Sequence, residues 1–151
     1  MYFPDLAPYQ YDLPFSIPDV LSVGWLSTGH PFPKGRVREA SRVQLEQLTA
    51  AAAVHSMRGT HPCPFCDCEA PGLMISDREF LLGSAELWVR DSVGRVFAAP
   101  NLVVHYVDAH DYQPPGLFLD ALEWTSANIG RWDATTVYEL LVARGFAAAA
   151  G

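Results

Sequence analysis

The sequence predicts a small single α+β domain: a zinc-stapled turn, a β-hairpin and a helix packed on a longer helix. Three observations predict it. The chain has 151 residues, 50% hydrophobic and 18% charged, enough for one core and too apolar for disorder. A stretch of helical period, residues 37–57, is followed by paired β-forming runs at 85–90 and 95–99. Around that pair stand Cys63 and Cys66 on one side and His105 and His110 on the other.

Taken in order, residues 1–19 hold prolines at positions 4, 8, 14 and 18 among Tyr2, Phe3, Tyr9, Tyr11 and Phe15. Proline fixes φ and removes a donor, so this is an extended Pro/aromatic arm, with its aromatics strapped along the domain. The domain proper spans 20–146. It opens with a short strand, Val20 to Leu26, and a Gly/Pro-rich loop, Ser27 to Gly35. In the helix that follows, Leu45, Leu48, Ala52 and His55 recur on one face and charged residues occupy the other; Gly59 is its expected stop. A four-residue connection, Asp91-Ser-Val-Gly94, joins the two runs of the hairpin. Pro100 suits the first turn of a helix reaching His110, and a second begins at Pro114-Pro115 and runs to Trp124. Asp133 is the expected N-cap of a last helix, Ala134 to Arg144, ended by Gly145. Residues 147–151 form a flexible tail. The four tryptophans read as packing residues rather than a ligand box.

Charge bounds the partners. Ten Lys and Arg against seventeen Asp and Glu give a net charge of −7, so no broad basic face is available to neutralise a phosphate backbone, and nucleic acid is excluded. An acidic surface promotes solubility and complements a basic protein partner. No stretch approaches the ~18 apolar residues of a membrane helix, and the start lacks the basic and apolar regions of a signal peptide. The expectation is a cytoplasmic protein with no membrane partner.

The chemistry lies in the cysteines and histidines. Cys63-Pro-Phe-Cys66 places two thiolates on one tight turn, and His105-Tyr-Val-Asp-Ala-His110 offers two imidazoles within the gap that zinc sites use. Helix positions five apart lie about 140° round the axis, so His110 is expected where the helix ends. Together the four complete a Cys2His2 sphere for one zinc ion with no open position, which makes the metal structural and leaves no catalytic residue to assign. Cys68 and His61 are competing ligands, and Asp108 and Asp111 could orient an imidazole, although solvated helix-end carboxylates are commoner.

Two enzymatic readings use the same cysteines. A zinc deaminase needs a His-x-Glu before its Pro-Cys-x-x-Cys, whereas the upstream histidines here read His30-Pro-Phe32 and His55-Ser-Met57, with no glutamate. A glutaredoxin-like redox pair needs a strand before it and a helix after it, and neither Arg58 to Pro62 nor Asp67 to Pro71 can supply one. The alternative to a binding module is therefore a thiol redox or zinc-dependent hydrolytic enzyme using Cys63 and Cys66.

Arg58-Gly-Thr-His-Pro-Cys-Pro-Phe-Cys66 and His105-Tyr-Val-Asp-Ala-His-Asp-Tyr-Gln-Pro-Pro115 resemble a family of small uncharacterised bacterial proteins that share an Arg-Gly-x-His-x-Cys-x-x-Cys stretch and a later His-Tyr-Val-x-x-His-x-Tyr-x-Pro-Pro segment. Tyr9-Gln-Tyr11, Gly24-Trp-Leu26 and Gly29-His-Pro-Phe-Pro33 extend the resemblance over most of the chain. It implies that the Cys and His pairs belong to one module and that the Ala-rich tail is peripheral. The functional expectation is a protein-interaction module, antidote-like or an adaptor.

Overall fold

A computed structural model describes residues 2–55, 60–66 and 71–150. Its elements in chain order are β1 (Pro8–Tyr9), β2 (Ile17–Ser22), α1 (Glu39–Ala51), β3 (Ala53–Val54), β4 (Gly72–Ile75), β5 (Arg78–Leu81), β6 (Glu86–Arg90), β7 (Val96–Pro100), α2 (Val103–His110), α3 (Gly116–Ala127) and α4 (Ala134–Ala150). The fold is mixed α+β. A five-stranded sheet runs β1-β2-β7-β6-β3, and β4 and β5 form a separate hairpin.

The expected hairpin is β6 and β7, antiparallel with Trp88 opposite Ala98. Its turn is closed by the Asp91 carboxylate, which accepts from the backbone of Val93 (3.1 Å) and Arg95 (2.9 Å) and from Arg95 Nε (2.6 Å). Burial alone would push the Asp91 carboxyl up, but the Arg95 bonds and charge outweigh it and hold the group below its ordinary value. Gly94 completes the turn at φ +97, a conformation that favours glycine. β2 joins the other edge of β7 in parallel, with Val20 opposite Val96.

Both faces of this sheet are covered, so four consecutive residues of β6, Glu86 to Val89, are buried instead of alternating. On one face Phe97 meets Phe118 of α3 edge-on at 6.3 Å. On the other, Trp88 lies between Tyr9 (5.2 Å) and Tyr138 of α4 (5.1 Å). Trp132 donates to Trp88 O at 2.9 Å and Trp25 to Ala98 O at 3.0 Å, which fixes both indoles on the sheet.

Several boundaries differ from expectation for physical reasons. α1 spans 39–51 rather than 37–57, because Ala53 and Val54 pair with β6 and His55 turns to φ +51. His55 therefore leaves the helix face on which its spacing placed it, and the expected stop at Gly59 lies outside the described residues. The first strand is 17–22 rather than 20–26. Pro100 ends β7 instead of starting α2, paired with Glu86 of β6. Asp133 caps α4 as expected, its carboxylate accepting from Thr136 N (3.0 Å) and Thr136 Oγ1 (2.8 Å). Gly145 does not end α4. The helix continues through the alanines, the best helix formers, and a Cβ at Gly145 would collide with the ring of Phe15.

Aromatics of the first nineteen residues pack on the rest of the chain. Tyr11 tilts over Trp25 at 4.6 Å, Phe3 meets Trp25 edge-on at 5.8 Å, and Phe15 meets Phe146 edge-on at 4.9 Å. Asp5 adds a polar tether, accepting from Gly24 N (3.0 Å) and the buried Tyr112 hydroxyl (2.8 Å). Among the described residues, no helix is long and apolar enough to cross a membrane.

Candidate metal centre

The two halves of the centre come from opposite sides of the β6–β7 hairpin, and a short chain of hydrogen bonds brings them together. The Asn101 N–H, just before α2, donates to Ala85 O (2.9 Å), and its side-chain Oδ1 accepts from Gly83 N (2.6 Å). Gly83 O in turn accepts from His61 N (2.9 Å), two residues before Cys63. Gly83 has φ +92, and a Cβ there would run into the His61 backbone carbonyl. Glycine is required at this crossing both for its dihedral and for its lack of volume. Neither Gly83 nor Asn101 stands in a motif of the sequence. The only signal was an isolated glycine between two β-forming runs, a common sign of close backbone approach.

α2 presents the histidines. Val103, Val104, Tyr106 and Val107 are buried, leaving His105 and His110 toward the cysteine turn. His110 is the last helical residue, as the five-residue spacing required: Asp111 adopts a left-handed conformation (φ 55, ψ 27), and Tyr112 N–H closes the end by donating to Tyr106 O at 3.1 Å. The chain then pairs back, Gly35 N donating to Asp111 O at 3.0 Å.

One donor atom from each of Cys63, Cys66, His105 and His110 lies within 4.8 Å of the others, a group able to hold a metal ion. Cys63 Sγ stands 3.4 Å from His110 Nε2, and Cys66 Sγ stands 3.4 Å from His105 Nε2. Cys63 is buried and Cys66 half-buried, both as free thiols. The Phe65 N–H donates to Cys63 Sγ at 3.4 Å. Burial, the largest effect, pushes the Cys63 thiol up, as does neighbouring Cys66, against the backbone N–H bonds. Burial and then the adjacent His110 hold His105 below the ordinary histidine value, which leaves its lone pair free near neutral pH. Phe65 lids the group, with Phe32 at 5.3 Å, His110 at 5.5 Å and Tyr106 at 5.7 Å.

The competing residues go elsewhere. His61 Nε2 hydrogen-bonds the Tyr11 hydroxyl at 3.1 Å and is not among the four. Cys68 lies outside the described residues. Asp108 accepts from Arg42 of α1 at 2.7 and 3.1 Å, tying α1 to α2 rather than orienting an imidazole. Asp111 forms the helix end.

A family model described as a domain of unknown function, DUF7919, matches residues 1–123. The match takes in all four clustered residues and the whole sheet, and α4 lies beyond it. No curated protein and no solved structure matches the chain.

Proposed function

We propose that this chain, which belongs to the DUF7919 family, is a bacterial cytoplasmic protein-interaction module, antidote-like or an adaptor, built on one structural zinc ion held by Cys63, Cys66, His105 and His110. The observation that carries the zinc is the convergence of four donor atoms within 4.8 Å. Zinc bonds of about 2.3 Å to sulfur and 2.0 Å to nitrogen at tetrahedral angles separate S from N by about 3.5 Å; two of the four S–N distances here, Cys63 Sγ to His110 Nε2 and Cys66 Sγ to His105 Nε2, are 3.4 Å. Two thiolates and two imidazoles are the soft and intermediate donors zinc takes. Four protein ligands leave no position for water or substrate, so the ion contributes folding energy and no chemistry.

The partner reading rests on charge. At −7 the chain is steered toward a basic protein surface, by an attraction that weakens as salt rises.

Metal analysis with thiol titration of the native protein tests the first part. One zinc per chain with Cys63 and Cys66 unreactive is expected; a metal-free protein whose Cys63–Cys66 disulfide cycles readily would sink the reading. Affinity capture from the native host at low and high salt tests the second. A basic protein retained only at low salt is expected, and an acidic or salt-indifferent partner would defeat it.

A further inference from the structure

Beside the metal centre, and bordered by Pro62 and Pro64 of its cysteine turn, lies a half-open cleft of about 370 Å³, the size of a small-molecule site. Trp25, Leu26 and Leu102 give it apolar walls, and Tyr11 adds an aromatic edge. Two acidic residues, Glu86 and Asp12, and one histidine, His61, line it, and among the described residues no lysine or arginine does.

Glu86 is the unusual member. It is 2% exposed on the central hairpin, where an apolar side chain of similar volume would serve stability as well or better. Instead, three groups are built around its carboxylate. Oε1 accepts from the Tyr9 hydroxyl (2.6 Å) and Trp88 Nε1 (3.2 Å), and Oε2 meets His55 Nδ1 at 2.6 Å. Asp12 Oδ2 stands 3.6 Å from the other nitrogen of the same imidazole, on a side chain 70% exposed. His55 is thus shared between two carboxylates, so this trio keeps one negative charge in excess even when its imidazole is protonated.

We infer that this cleft binds a small amphipathic organic cation, an apolar or aromatic body carrying a protonated amine. The body fits between Trp25 and Leu102, and the ammonium group is drawn to the Asp12 and Glu86 side, with the Tyr11 ring adding to the attraction.

Three ligands with one body but different charge test it on the full chain as purified: phenethylamine, 2-phenylethanol and phenylacetate, titrated near neutral pH by ligand-observed NMR. Phenethylamine should bind saturably, and about tenfold tighter than the alcohol, with the acid weaker still. Asp12→Asn should reduce that preference severalfold; asparagine tolerates the left-handed backbone of this position (φ 58), so the fold is spared. Ser27→Tyr, which puts a large ring at a residue lining the cleft, should abolish binding. Equal binding of alcohol and amine, an Asp12→Asn variant with the full preference, or no saturable amine binding below about 10 mM would overturn the assignment.

Discussion

Replacing Gly83 with alanine probes the joint on which the cysteine turn rests, and the structure sets the size of the effect. At φ +92 a Cβ costs about 1–2 kcal/mol in backbone strain. The same Cβ would press on the His61 carbonyl, part of the backbone bond that positions residues 61–63. Backbone cannot swing aside like a side-chain tip, so overpacking adds about 1–3 kcal/mol. If the strain is relieved by lifting the turn off Gly83, the total of about 2–5 kcal/mol appears as lost affinity for the proposed zinc, roughly thirtyfold to a few thousandfold. Competition against a chromophoric chelator measures that, and denaturant unfolding with and without chelator shows whether the loss is confined to the metal-bound form. Gly94→Ala is the control: it shares the positive dihedral (φ +97) but meets nothing within 4 Å, so it should cost about 1 kcal/mol in stability and leave zinc affinity unchanged. A Gly83→Ala protein that binds zinc as tightly as the original, or a Gly94→Ala protein that loses zinc equally, would refute the reasoning.

Cys63→Ser should abolish binding of the proposed zinc and lower the unfolding midpoint, because Cys63 is 4% exposed and belongs to the same buried cluster as Trp88 and Phe97; metal content by mass spectrometry equal to that of the native chain would contradict this. The Glu86 hydrogen bond, against burial and aided by Asp12, raises the His55 pKa above its ordinary 6.5. Its stabilisation is therefore complete below about pH 6.5 and lost as pH rises through the folded value; the denaturation midpoint should fall from pH 6 to 8 more steeply in the native chain than in His55→Gln, and parallel slopes would count against the pair. Tyr112→Phe removes a buried donor from the Asp5 carboxylate and should cost about 1–3 kcal/mol by denaturant titration; a change under about 0.5 kcal/mol would show the tether to be slack.

The clustering of Cys63, Cys66, His105 and His110 was legible because its evidence is short-range: a Cys-x-x-Cys turn and a five-residue His pair announce themselves by chemistry and spacing. The β6–β7 hairpin and the Asp133 cap were legible for the same reason, each being decided within a few residues. What escaped was decided at a distance or against local preference. The β4–β5 hairpin turns on Ser76 and Asp77 at φ +50 and +65, where the usual asparagine or glycine signal is absent. The parallel pairing of β2 with β7 joins residues some 76 positions apart. His55 matched helical spacing, yet β3 draws it out of the helix toward Glu86. Glu86 itself reads as an ordinary strand residue until Tyr9, His55 and Trp88 converge on it.

The seating of Phe15 against Gly145 and Phe146 also imposes an order in time. Phe15 emerges from the ribosome 131 residues before Phe146, on the order of ten seconds at ordinary synthesis rates. Through that interval the aromatic arm has made its contacts with the sheet only as far as synthesis has reached, and its last ring waits for the final helix. A chain cut at residue 123, where the family match ends, would never supply that cover, so a chain trimmed to the matched residues should expose Phe15 and aggregate more readily than the full chain by light scattering.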